Sequence, residues 1–94
     1  MDKEEELNVL YDTIIKLENR AEAKALLEDL LTYKELESLS QRAYAAKLLI
    51  NGNTYDEITK KTNISSATLS RVNKCILHGS GGYIQFIKKD SSED

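Results

Sequence analysis

Apolar residues recur at spacings of three and four along most of the chain, and this periodicity is the strongest constraint on the fold. Three stretches between residues 2 and 50 show it, at Leu7, Leu10, Tyr11, Ile14 and Leu17, at Ala23, Leu26, Leu27, Leu30 and Leu31, and at Leu36, Leu39, Ala43, Ala46 and Ile50. Such residues share one face of an α-helix, whereas a strand needs alternation. The 94 residues include no proline, which would interrupt a helix. The pattern predicts an all-α protein of five to six short helices.

Capping patterns indicate where these helices begin and end. Thr32 and Thr54 are each followed three residues later by glutamate, which is the spacing of a capping box. The sequence Asn51-Gly52-Asn53 predicts a helix end, because Gly and Asn tolerate left-handed backbone. These features predict six helices. The first covers about 2–18, and the second runs from a break at Asn19-Arg20 to about residue 32. The others cover about 33–50, 54–62, 66–77 and 83–89, and residues 90–94 are expected to form a disordered tail.

Size and composition exclude several classes of protein. No apolar run approaches the ~18–20 residues of a membrane span, and the acidic, polar start is unlike a signal peptide. The single cysteine, Cys75, excludes an internal disulfide and a thiolate metal cluster, and it is interpreted as a small buried hydrophobe. Since a chain of this size buries only ~60–65% of its surface, a shared dimer core is favoured. We expect a cytoplasmic homodimer without a membrane partner, a metal or a cofactor.

Charge is distributed unevenly along the chain, although the net charge is only −3. The net charge is −6 over residues 1–37, +4 over 38–75 and −1 over 76–94. A local excess of basic residues in an acidic protein indicates a surface for a negatively charged partner. The carboxylates of residues 1–37 lie in acidic helical runs without an apolar cleft that would raise a pKa, so we expect no enzyme.

The segment 54–77 has the pattern of a helix-turn-helix. A short capped helix is followed by Asn63, at which a positive φ is expected, and by a second helix beginning near Ser66. Apolar residues at spacings that would hold the two helices together are Ile58, Ile64, Leu69 and Val72. A plain helical hairpin inside a bundle is the alternative structural interpretation.

The second of these helices has short side chains and no carboxylate from Asn63 to Leu77. The DNA major groove, about 12 Å wide, admits a helix whose side chains neither repel phosphates nor crowd the base edges. Residues predicted to enter the groove are Ser65, Ser66, Ala67, Thr68, Ser70 and Arg71. Residues predicted to approach the DNA backbone are Tyr55, Thr59, Lys60, Lys61 and Lys74.

Three segments, LLTYKELESLSQR at 30–42, LLING at 48–52 and ATLSR at 67–71, resemble the Trp repressor superfamily, most of all its YerC/YecD group. The resemblance covers about residues 26–89, and this chain has one residue fewer than the family in the turn after Gly52. It implies a single bacterial domain over 1–94 that forms an intertwined homodimer, in which the N-terminal helices (1–31) of each chain wrap the other. Two helix-turn-helices would then meet successive major grooves of a palindromic operator, about 34–36 Å apart.

The resemblance also implies a position for a small-molecule co-repressor such as L-tryptophan. The matching positions are Leu31, Thr32, Arg42, Arg71, Val72 and Cys75. Tryptophan-binding members hold the indole between the two arginines. Val72 stands where tryptophan-responsive members have a glycine, so it could instead fill the slot and hold the recognition helix in place without a ligand.

The sequence therefore predicts a dimeric, sequence-specific DNA-binding transcriptional regulator, and a repressor by the resemblance. Asp56 stands where the family has a base-contacting arginine, so a different operator sequence is expected. Two alternatives stay open. One is a helical interaction module that binds another protein through the acidic N-terminal helix, with a relict helix-turn-helix. The other is a ligand-responsive repressor that senses an amino acid.

Overall fold

The structure, a computed structural model, describes residues 2–88 and contains only helices over that range. They are α1 Lys3–Ile14, α2 Arg20–Leu30, α3 Tyr33–Ile50, α4 Tyr55–Lys61, α5 Ser66–His78 and α6 Gly82–Phe86. The predicted all-α fold of short helices is confirmed, although α6 is shorter than the expected 83–89. None of the described helices has the length and apolar character needed to cross a membrane. The predicted tail at 90–94 lies outside the described residues.

The chain forms two compact units, and the boundary between them falls inside α3, between Leu36 and Glu37. In the first unit, α1 and α2 contain no buried residue. Large apolar side chains that are at least 40% exposed there are Leu7, Val9, Tyr11, Ile14, Ile15, Leu30 and Tyr33. In a single chain, the first unit therefore leaves much of its predicted apolar surface open to solvent.

The first helix ends at Ile14 and not at Glu18, so its predicted length was wrong. The Asn19 side chain accepts a hydrogen bond from the Glu22 N–H (2.9 Å), and the Glu22 carboxylate accepts one from the Glu18 N–H (2.9 Å). This variant of a capping box starts α2 and holds Asn19 in extended backbone, with φ −155° and ψ 171°. After Ile14 the Lys16 N–H donates to the Thr13 carbonyl (3.2 Å) and the Leu17 N–H donates to the Ile14 carbonyl (3.1 Å), so the chain leaves α1 through bonds that span three residues. Leu17 therefore lies outside the helix that its apolar periodicity predicted.

The second unit is organised around a small apolar core. The core residues that contact one another come from α3 and from the helix-turn-helix, and they are Ala45, Leu48, Ile58, Ile64 and Leu69. Val72 of α5 is also buried, with 2% of its surface exposed. All four apolar positions predicted to hold the helix-turn-helix together are therefore buried. This packing joins the helix-turn-helix to the second half of α3.

Helix α3 ends at Ile50, where the sequence predicted a helix end, and is followed by a Schellman motif with Gly52 in the left-handed position. The Gly52 N–H donates to the Leu49 carbonyl (3.0 Å), and the Asn53 N–H donates to the Leu48 carbonyl (3.0 Å). The Asn53 side-chain amide donates to the same Leu48 oxygen (3.0 Å). Gly52 has a φ of +95°, the left-handed conformation that this motif requires.

Replacing Gly52 with alanine is expected to lower the free energy of unfolding by about 1–2 kcal/mol, because a Cβ is strained at positive φ. The strain would be purely conformational, since no atom lies within 4 Å of the new Cβ. Gly82→Ala is the matched control, because its Cβ also meets nothing within 4 Å and its φ is not positive. Urea unfolding of both variants measures the difference, and equal losses of stability would contradict the prediction.

Candidate nucleic-acid interface

A complete capping box starts α4. The Thr54 hydroxyl accepts a hydrogen bond from the Glu57 N–H (3.2 Å), and the Glu57 carboxylate accepts one from the Thr54 N–H (2.7 Å). The bond from the Thr54 backbone is the main reason that the pKa of Glu57 lies below its ordinary value of 4.5. Thr32 and Glu35 form the same box before α3 (2.8 and 3.1 Å), so both predicted capping boxes are confirmed.

The turn between α4 and α5 is built without left-handed backbone. Within residues 2–88, only two glycines, Gly52 and Gly81, have a positive φ, so the positive φ predicted for Asn63 was wrong. Thr62 is extended, with φ −137° and ψ 166°, and its hydroxyl accepts a hydrogen bond from the Ile64 N–H (3.1 Å). Because this side chain satisfies the turn backbone, the chain changes direction with ordinary φ values.

Ser65 caps α5. Its hydroxyl oxygen accepts a hydrogen bond from the Thr68 N–H (3.1 Å), and the same hydroxyl donates to the Thr68 Oγ1 (2.9 Å). Thr68 is half-buried, whereas Ser65 is exposed. The first turn of α5 is therefore fixed by hydrogen bonds between two residues that the sequence analysis placed against DNA bases.

One face of α5 is buried and the opposite face is open. Leu69 and Val72 have 0% and 2% of their surface exposed and attach the helix to the core. The residues of the open face are Ser66, Ala67, Ser70, Arg71 and Lys74. Their spacing of three and four places them on one stripe along the helix axis. Five of the seven α5-segment residues predicted to contact DNA therefore share one exposed surface, while Ser65 and Thr68 lie at its start.

The predicted backbone-contacting residues of α4 are also exposed. They are Tyr55, Thr59, Lys60 and Lys61. The Thr59 hydroxyl donates to the Asp56 carbonyl (3.0 Å), which keeps it within its own helix. Among residues 2–88, neither Lys60 and Lys61 of α4 nor Arg71 and Lys74 of α5 form a salt bridge. The helix-turn-helix therefore presents four cations to solvent and no acidic residue after Glu57.

The six predicted ligand positions are divided between the two units. Leu31 ends α2 and is half-buried, and Thr32 is exposed at the start of α3, both in the first unit. The other four lie in the second unit and are Arg42, Arg71, Val72 and Cys75. Val72 is packed in the core, and the half-buried Arg42 has a buried Nε without a hydrogen-bond partner among the described residues. In the second unit, the Arg42 Nε is therefore a hydrogen-bond donor without an acceptor among the described residues. The Val72 side chain is buried in the core at a position that the resemblance assigns to ligand binding.

A cavity of about 390 Å³, which the sequence analysis missed, lies where α5 meets α6. It is lined by Cys75, Gly79, Ser80, Gly82 and Tyr83. Gly79 is required there, because a Cβ would clash with the Cys75 carbonyl oxygen. Cys75 is half-buried and not fully buried as predicted, since its side chain lines this opening. Among residues 2–88, no three His, Cys, Asp or Glu side chains are grouped so that they could hold a metal ion.

Comparison with known proteins places the chain in a family. Residues 5–91 match the sequence profile of the family described as Trp repressor protein. The uncharacterized protein YerC of Bacillus subtilis is 40% identical over 78 residues, which are 83% of this chain and 75% of YerC.

Two solved structures share the fold. A proposed Trp repressor from Staphylococcus aureus has a TM-score of 0.82 and 37% identity, and the match covers 89% of each chain. A TrpR-like protein from Eubacterium eligens has a TM-score of 0.82 and 40% identity over 88% of this chain and 86% of its own. The resemblance seen in the sequence is confirmed, and the chain belongs to the Trp repressor family.

Proposed function

We propose that this protein is a sequence-specific DNA-binding regulator of transcription that acts as a homodimer in the bacterial cytoplasm, as a repressor. The observation that carries the proposal is the open stripe of α5, where short polar side chains and Arg71 lie on a helix anchored by buried residues. A rigid helix with small exposed side chains can approach base edges closely. No catalytic role is proposed.

The electrostatics of the helix-turn-helix support the same function. The cations Lys60, Lys61, Arg71 and Lys74 are exposed, and residues 58–88 contain no acidic side chain. Each lysine or arginine that contacts a phosphate releases counterions, which gives DNA binding most of its affinity and its salt dependence. The excess of acidic residues in the first unit accounts for the negative net charge of the chain.

A homodimer is supported by the first unit. Its helices expose Leu7, Tyr11 and Ile14 on one face of α1 and bury no residue in a single chain. Exposed apolar faces of this extent are typical of protein–protein interfaces. A dimer with two-fold symmetry would present two α5 helices to half-sites separated by about 10 base pairs.

Selection of bound sequences from a random pool of double-stranded DNA tests the proposal. We expect enrichment of a palindromic motif whose half-sites are about 10–10.5 base pairs apart, centre to centre. Fluorescence anisotropy with the selected duplex at several salt concentrations then gives the affinity. Binding without any sequence preference would overturn the proposal and favour the interaction module that uses the acidic N-terminal helix.

Replacing Lys60 with alanine is expected to weaken binding to the same extent on operator and on random duplex. Lys60 is an exposed cation in the last turn of α4, where it can neutralise a phosphate but is not on the stripe of α5. The slope of log affinity against log salt should decrease in magnitude by about one. Lys16→Ala, outside the helix-turn-helix, is the control and should leave the slope unchanged; a preferential loss on the operator in Lys60→Ala would contradict this role.

A ligand-responsive repressor is the second candidate function. The buried Nε of Arg42 favours it, because a buried donor normally has an acceptor such as a carboxylate. The packed side chain of Val72 opposes an indole at this position. Titration calorimetry with L-tryptophan, combined with operator titrations in the presence and absence of the amino acid, separates the two candidates. Saturable binding that strengthens operator affinity would establish the second, whereas unchanged operator affinity supports an effector-free regulator.

A further inference from the structure

The serine and threonine hydroxyl groups of the helix-turn-helix fall into two groups. Five are engaged in hydrogen bonds within the segment, those of Thr54, Thr59, Thr62, Ser65 and Thr68. The hydroxyls of Ser66 and Ser70 have no such partner within residues 2–88, and both side chains are exposed. Seven hydroxyls that are equivalent in the sequence are therefore not equivalent in the folded protein.

Ser65 and Thr68 form a closed pair at the start of α5. Ser65 donates its only hydroxyl proton to Thr68 Oγ1 (2.9 Å) while accepting the Thr68 N–H (3.1 Å). Both hydroxyls of the pair are thus engaged within the protein, and Thr68 is half-buried. This pair fixes the backbone of the turn that carries Ser66 and Ala67.

We propose that Ser66, Ala67, Ser70 and Arg71 specify the DNA sequence and that Ser65 and Thr68 are positioning residues. The inference rests on the proposed function and narrows its set of base-contacting residues. The four lie within two turns on the exposed stripe. The Ser66 and Ser70 hydroxyls can meet base donors or acceptors, the Ala67 methyl can contact a thymine methyl, and Arg71 can donate to guanine O6 and N7.

The test compares preference profiles of Ser65→Ala, Thr68→Val and Ser70→Ala, measured as affinity for every single-base variant of the selected operator. Ser65→Ala removes the cap of α5 and should weaken binding about fivefold, the equivalent of losing ~1 kcal/mol of helix capping. Thr68→Val keeps the capping N–H and loses only the bond between the two hydroxyls, so it should weaken binding less than Ser65→Ala does. Neither variant should change the order of base preferences. The double variant should lose little more than Ser65→Ala alone, because Ser65→Ala already removes both bonds of the pair. Ser70→Ala should reduce discrimination about fivefold at one or two base pairs per half-site only.

Ser65→Asn provides the rescue, since asparagine also caps helices. It should restore affinity to within about twofold of the natural protein, and circular dichroism at the assay temperature confirms that each variant is folded. Changed preference at one base pair in Ser65→Ala, unchanged affinity in that variant, or an unchanged profile in Ser70→Ala would each overturn the assignment. If the natural chain selects no motif, the proposed function itself fails, whereas a motif with the wrong variant profiles overturns only this inference.

Discussion

Leu69→Ala is expected to lower the free energy of unfolding by about 2–5 kcal/mol, the range for truncating a fully buried leucine. Leu69 has no exposed surface and packs with Ala45, Leu48, Ile58 and Ile64. Its removal would leave a cavity where α5 meets α3 and α4. Since a small domain is stable by only about 5–15 kcal/mol, urea unfolding should show a large shift of the midpoint. Operator affinity should fall in parallel, because α5 loses its main anchor.

Lys74→Ala is the matched control for that experiment, because it also shortens a long side chain of α5 by several atoms. Lys74 is exposed and forms no salt bridge among the described residues, so its removal should change stability by no more than about 0.5 kcal/mol. Similar destabilisation by Leu69→Ala and Lys74→Ala would show that the core described here does not stabilise the helix-turn-helix.

Arg71→Ala should weaken operator binding by about 1–3 kcal/mol, which is roughly 5- to 150-fold, and should relax specificity at one base pair of each half-site. Arg71 is exposed, has no ion-pair partner within residues 2–88, and stands one turn after Ala67 on the open stripe. Its guanidinium can donate two parallel hydrogen bonds to guanine. Anisotropy titrations with the operator and with a random duplex measure the two losses.

Arg71→Lys distinguishes the role of charge from that of geometry. Lysine keeps the positive charge but lacks the planar pair of donors, so random-duplex affinity should stay close to that of the natural protein while operator affinity falls. An Arg71→Ala loss that is no larger on the operator than on random duplex would limit Arg71 to phosphate contact.

Local patterns predicted much of the fold because the interactions that form it are local. Helix α3 begins and ends where Thr32 and Gly52 indicated, since a capping box and a Schellman motif each involve only a few consecutive residues. The buried side chains of the helix-turn-helix followed from their spacing for the same reason. The apolar faces predicted for α1 and α2 bury no residue in a single chain, so their packing stays a prediction.

Two local features were predicted wrongly from the sequence, the end of α1 and the backbone conformation of Asn63. Apolar periodicity at Leu17 favoured an α1 that continues to Glu18, whereas the chain leaves α1 after Ile14 through hydrogen bonds that span three residues. At the turn, Asn63 tolerates left-handed backbone, but the Thr62 hydroxyl closes the turn without it. At the turn the deciding interaction was a single side-chain hydrogen bond, whose energy of about 1 kcal/mol a residue pattern does not convey.

The candidate site was predicted in outline and refined by the structure. The exposure of Ser66, Ala67, Ser70 and Arg71 could be predicted, because they lie on the face of α5 opposite the buried Leu69. The hydrogen bond between the Ser65 and Thr68 hydroxyls requires their oxygen atoms to lie 2.9 Å apart. The spacing of the two residues in the sequence does not determine this distance. The cavity beside Cys75 depends on how α6 returns after the glycine-rich segment, and no pattern in the sequence indicated it.

Because the Thr62 hydroxyl accepts the Ile64 N–H at the turn, position 63 does not need a residue that tolerates a positive φ. Patterns that search genomes for helix-turn-helices by a glycine at the corner will overlook chains of this kind. Asn63 is also exposed, so protein engineers can place a lysine or a reporter group there without straining the bend.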